Sequence, residues 1–184
     1  MSTKNSDRLK KYLDYNGIIT CNVNPYLPSL SDIECSWEDA VALIDSHDIF
    51  YCKTYRKRTT YLSNYAYFLL KQCKTKKPMH GDAAMIYDAL KQVGPLQTTE
   101  LKLLTHMEPN IFSKAFTFLL ENMYITAYEN GEFLSSNWST LVYCTAEEWE
   151  RCVCIPYIEE DVHKKLKIIL THTMSEKEFD KFMK

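Results

Sequence analysis

Glycine and proline are scarce in this chain: four glycines and six prolines among 184 residues. So few turn formers exclude a linker-rich chain and argue against an all-β fold with many tight turns. Four glycines are also too few for a phosphate-cradling loop beside ordinary turns, and neither G-x-G-x-x-G nor a P-loop occurs. G-x-S-x-G and H-E-x-x-H are missing as well. No apolar run approaches 18 residues, which excludes a membrane-spanning helix, and the opening MSTKNSDRLKK lacks the apolar stretch of a secretory signal. The cysteines (21, 35, 52, 73, 144, 152 and 154) never form C-x-x-C, and their odd number leaves one unpaired in any full disulfide scheme. They read as reduced, mostly buried thiols of a cytoplasmic protein. His163 and Cys154 do not make a zinc ligand set. The five histidines are scattered, mostly at predicted helix ends, where the helix dipole alone accounts for them. The expectation is a protein that is not an enzyme, with no catalytic residue, metal, cofactor or membrane partner.

Acidic residues are missing from one stretch entirely. YCKTYRKRTTYLSNYAYFLLKQCKTKK, residues 51–77, holds eight basic residues, five tyrosines and no carboxylate. The flanking segments are acidic: net −4 over 1–52 and −7 over 78–150, with +1 over 151–184, for a chain total of −2. The basic block is thus a local feature of an otherwise acidic molecule.

Periodicity predicts a mainly α chain with small β-hairpins, an α+β fold. Residues 6–16 form a helix ended by Gly17; 18–35, with Pro25 and Pro28, look irregular; Ser36 caps a helix bearing Trp37, Ala40, Val41 and Ile44. IFYCKT and TTYLS read as a β-hairpin with the basic tip YRKR, followed by a helix NYAYFLLKQC in which Tyr65, Phe68 and Leu69 share an inner face. A connector covers 74–78. Beyond it come a helix capped by Asp82 and ended by Gly94-Pro95, a short helix capped by Thr98 or Thr99, and a helix opened by Pro109. That last helix turns Ile111, Phe112, Ala115, Phe116, Leu119 and Leu120 inward. YITAYENGEFLSS reads as two strands around an Asn130-Gly131 turn, with STLVYC as a third strand. Helix, short helix, helix, wing is the order of a winged helix-turn-helix. The predicted units are therefore 1–78, an α/β-hairpin unit; 79–145, the winged helix; and 146–184, C-terminal helices packed on it. The first helix and hairpin could form a second, degenerate winged unit.

SWEDAVALID, then FYCKTYRKRTTYLS, a tyrosine-bearing helix, and a unit ending LLENMYITAYENGE resemble the short AlkZ-related winged-helix proteins of bacteria, over roughly residues 36–150. These are relatives of the AlkZ-type DNA glycosylases, which stack winged-helix units and remove alkylated bases. The resemblance implies the fold and a DNA-related setting. It does not carry over catalysis: the glycosylases use a Gln-x-Gln motif, and glutamine stands here only at 72, 92 and 97.

Two surfaces are candidates for nucleic acid. One is the outer face of the third helix of the winged unit, with Ser113, Lys114 and Thr117; it has a single basic residue in a segment of net −7, so phosphate contacts are few there. The other is the basic block: Lys53, Tyr55, Arg56, Lys57 and Arg58 at the hairpin tip, with Lys71, Lys74, Lys76 and Lys77 at the end of the next helix. If hairpin and helix pack together, both clusters meet one polyanion, and Tyr55 adds stacking or a phosphate hydrogen bond. The opposing reading is structural: lysines complement a helix C-terminus, and acidic groups of the same chain neutralise the block. In that case the protein is an interaction or dimerisation module with a protein partner, and least of all a divergent glycosylase.

Overall fold

The computed structural model describes residues 4–135, 138–158 and 161–184. Its first half runs α1 (Lys4–Asn16), β1 (Ile18–Thr20), a 3-10 turn (Leu30–Ile33), α2 (Trp37–Asp45), β2 (Ile49–Cys52), β3 (Thr60–Ser63) and α3 (Asn64–Cys73). Its second half runs α4 (Gly81–Val93), β4 (Leu96–Gln97), α5 (Thr98–Thr105), α6 (Pro109–Glu121), β5 (Ile125–Ser135), β6 (Trp138–Thr145) and α7 (Ala146–Glu150). Then follow α8 (Val162–Leu170) and α9 (Glu176–Phe182). The fold is α+β, as the sequence predicts.

The two halves share one plan. Each folds a helix, a short strand, a helical turn, a helix, and a hairpin. In each, the short strand pairs antiparallel with the third strand, giving the orders β1-β3-β2 and β4-β6-β5. Each hairpin also runs straight into a helix through a hydroxyl cap. Ser63 Oγ accepts from the Ala66 N–H and Thr145 Oγ1 from the Glu148 N–H, both at 3.2 Å.

The halves meet along the edge strands β2 and β5. There is no ladder between them. Instead the Thr126 hydroxyl accepts from the Tyr51 N–H (3.0 Å) and donates to the Tyr51 carbonyl (2.9 Å), so one side chain satisfies both backbone groups of an edge residue. The core crosses the 74–80 connector without a break: Leu9, Leu13 and Ile44 belong to one buried cluster with Ile86, Leu119 and Ile125. The C-terminal helices lie mainly on the first half rather than on 79–145. Leu166, Leu170, Phe179 and Phe182 complete a second cluster with Phe50, Tyr67, Phe68 and Leu70. Gly17 is fixed by this packing. Its φ is +77°, and a Cβ there would stand 2.5 Å from Ile169 Cγ2 on α8.

Several expectations are corrected. Asn130-Gly131 is no hairpin turn. β5 continues through both residues to Ser135, STLVYC lies within its partner β6, and the third strand is the short β4. Gly131 does not have the positive φ that a type I′ turn requires; it sits at a bulge, where a Cβ would collide with Thr140 Oγ1, and the Asn130 N–H donates to Asp45 on α2. Ile111 is 43 % exposed rather than inward, since the first turn of α6 overhangs the core. Tyr67, not Tyr65, fills the core from α3. α4 and α5 begin after His80 and Gln97, which places Asp82 and Thr98 inside the first turn. All seven cysteines are free, yet only Cys35, Cys52 and Cys144 are buried; Cys152 and Cys154 are exposed. Burial pushes the Cys52 thiol up to about 12.

Candidate nucleic-acid interface

The tip of the β2–β3 hairpin is a turn closed by the Arg58 N–H on the Tyr55 carbonyl at 3.0 Å. Its central residues, Arg56 and Lys57, both have positive φ, +50° and +59°. Left-handed backbone is natural for Asn-Gly and costs an ordinary L-residue about 1–2 kcal/mol. Here an arginine and a lysine occupy it, so the turn is held by its surroundings. The Tyr55 ring is buried, 0 % exposed, and packs edge-to-face on Phe182 at 5.5 Å. The Arg56 guanidinium lies 3.8 Å from the centre of the Tyr26 ring and pairs with Glu178 at 2.7 Å. Lys57 has little to hold it: its side chain is 78 % exposed and only 3.5 Å from Glu121. Lys57→Gly is therefore expected to raise stability by about 1 kcal/mol, read as a higher denaturation midpoint in urea. A loss of stability would show that the turn is not strained.

Around this tip lies a cleft of about 310 Å³. Seven cations line it: Lys53, Arg56 and Lys57 from the hairpin, Lys74 and Lys77 after α3, and Lys181 and Lys184 from the end of the chain. Two carboxylates, Glu121 and Glu178, stand against them. Hairpin tip and post-α3 lysines thus do meet, and the C-terminal helix joins them. Among the described residues, the side chains of Lys53, Lys77, Lys181 and Lys184 make no ion pair or hydrogen bond.

Part of the basic block is structural. Lys71 pairs with Glu150 at 2.6 Å, outside the cleft. Lys76 donates to the Met123 carbonyl at 2.9 Å and lies over the Tyr124 ring, and Lys74 donates to the Phe182 carbonyl at 2.8 Å. Burial pulls both of these ammonium groups below the usual lysine range. Arg58 is exposed, with its guanidinium 6.0 Å from the Tyr26 ring. Tyr55 is corrected: its ring belongs to the core and offers no stacking face, leaving only the hydroxyl. That hydroxyl donates to Glu178 at 2.8 Å, and burial, helped by this bond, pushes it up to about 12. Partial burial opposes ionisation of Glu178, but the bonds from Tyr55 and Arg56 and the nearby charges outweigh it and hold the carboxyl below its usual range.

The second predicted surface ends at the same place. Ser113 and Lys114 are exposed on α6 and Thr117 is half-buried. Helical spacing carries that face on to Glu121, about 10 Å beyond Lys114, which lines the cleft beside Lys57. The backbone fixes the junction, because the Lys53 N–H donates to the Leu120 carbonyl at the end of α6. Sequence reasoning missed Lys181, Lys184, Glu178 and Tyr26. Each reaches the tip by a tertiary contact across many residues, for which no local pattern exists.

The described residues form an α+β protein in which no helix is long and apolar enough to cross a membrane. The family model described as AlkZ related matches residues 29–184, and the chain belongs to the AlkZ-related family. No curated protein and no solved structure matches it.

Proposed function

We propose that this is a non-catalytic winged-helix protein that binds nucleic acid, with the basic cleft on phosphates. The observation that carries the reading is the gathering of seven cations against two carboxylates in one cleft of a molecule whose net charge is −2. Such a patch creates a local positive potential that the total charge conceals. The order α4-β4-α5-α6-β5-β6 with sheet order β4-β6-β5 supports a winged helix, with α6 as its third helix and β5–β6 as its wing. α6 alone carries one lysine among its outward residues, too little for duplex affinity; the cleft at its end supplies the missing phosphate contacts. The AlkZ-related family supports a DNA-repair setting. The three glutamines, at 72, 92 and 97, form no Gln-x-Gln, which supports binding without base removal.

Titration against a labelled random-sequence duplex tests the reading. Four phosphate contacts predict a loss of about a hundredfold in affinity between roughly 50 and 200 mM salt. Absence of binding at the lower salt would overturn it. That outcome would favour the second reading, a protein-docking module. The observation behind that reading is an apolar groove of about 430 Å³ between α4 and α6, lined by Ala83, Ile111 and Phe118.

A further inference from the structure

We infer that the hairpin tip holds a phosphate subsite which Glu178 already occupies, so that nucleic acid enters the cleft by exchanging one anion for another. The inference rests on the nucleic-acid reading above. A single oxygen, Glu178 Oε1, accepts hydrogen bonds from the Tyr55 hydroxyl and from Arg56 Nε, both at 2.8 Å, and makes an ion pair with Arg56 Nη2 at 2.7 Å. Two donors and the flank of a guanidinium converging on one oxygen form a set suited to a phosphate oxygen as well as to a carboxylate. The donors are fixed before any ligand arrives. Tyr55 is held by its buried ring and Arg56 by the Tyr26 face beneath its guanidinium. Arg56 also stands in the left-handed turn that the chain maintains with Arg56-Lys57 where Asn-Gly would be cheaper.

The occupant can leave without unfolding its helix. α9 is anchored by Phe179 and Phe182, which are 0 % and 7 % exposed, whereas Glu178 lies on the cleft side. Rotation of its side chain vacates the subsite while the two phenylalanines stay in place. Glu178 then acts as a selector: an isolated anion does not displace it, and a phosphodiester of a polyanionic strand, whose neighbouring phosphates meet the surrounding lysines, does. Glu121 is the internal comparison, since it lines the same cleft with the same charge but approaches only Lys57, at 3.5 Å.

The test compares Glu178→Gln with Glu121→Gln in the full chain, using the labelled random-sequence duplex at low salt. Freeing the subsite should tighten binding about tenfold in Glu178→Gln. Glu121→Gln removes the same charge and should gain no more than about threefold. Arg56→Lys added to Glu178→Gln should erase the gain, because lysine has no fork. Thermal melting of each variant confirms that α9 stays packed. Equal gains from the two glutamines, or a gain that survives Arg56→Lys, would overturn the subsite while leaving salt-dependent binding intact. If neither the wild type nor any variant binds the duplex at low salt, the nucleic-acid reading falls and the subsite with it.

Discussion

Exchanging Lys57, Lys77, Lys181 and Lys184 for glutamate is expected to abolish the proposed salt-dependent duplex binding and to leave the fold standing. All four side chains are exposed, and their one ion pair is the 3.5 Å approach of Lys57 to Glu121. Surface charges of this kind contribute about 0–1 kcal/mol each to folding, so the far-ultraviolet dichroism of the variant should match the wild type. Binding behaves differently. Removing four phosphate contacts lowers affinity most at low salt and flattens the dependence of affinity on salt. Four repelling carboxylates lower affinity further. Fluorescence anisotropy at two salt concentrations reads both effects. Reversal of Lys71 and Arg151, outside the cleft and each paired with a neighbouring glutamate, is the control for charge reversal away from the cleft, to be compared with the double reversal of Lys181 and Lys184. An unchanged affinity in the quadruple variant, or an equal loss in the control, would move the site elsewhere.

Trp149→Ala should lower stability by about 3–5 kcal/mol, at the top of the range for single core truncations. The indole is 0 % exposed and stands edge-on to Phe50 (5.0 Å) and Tyr67 (5.2 Å), so it joins α7 to the first hairpin and to α3 at once. Its Nε1–H is buried with no hydrogen-bond partner among the described residues. Trp149→Phe removes that unsatisfied donor and keeps an aromatic ring, and is expected to be much the milder change. Urea unfolding of the two variants separates the contributions. A loss under about 1 kcal/mol in the alanine variant would mean that the cluster collapses around the gap.

Local signals carried most of the secondary structure. Ser36 caps α2 with Asp39 answering it, Pro109 opens α6, and the β-branched and aromatic runs at 49–54 and 59–63 form the first hairpin. These features are written within a few residues of where they act. Asn130-Gly131 misled for a physical reason. Glycine serves a bulge as well as a turn, and only the packing of Thr140 and Asp45 decides between them. The cleft was half legible. Charge counting found the basic block, but no pattern could separate Lys77, which faces the cleft, from Lys71 and Lys76, which answer Glu150 and Met123. Lys181 and Glu178 were beyond sequence reasoning altogether, since they become neighbours of the hairpin only through the burial of Phe179 and Phe182.

That last contact ties the proposed binding cleft to the end of folding. Arg56 and Glu178 are 122 residues apart in the chain, and Tyr55 and Phe182 meet across a similar span. Closing so long a loop is entropically costly and is rewarded only after the intervening hairpins and helices have formed. A partly folded chain can hold both sheets and still lack the α9 wall, with Lys181 and Lys184 away from the hairpin and Arg56 unclamped. Polyanion affinity should therefore appear in refolding kinetics with the slowest phase, making the cleft a reporter of native topology rather than of collapse.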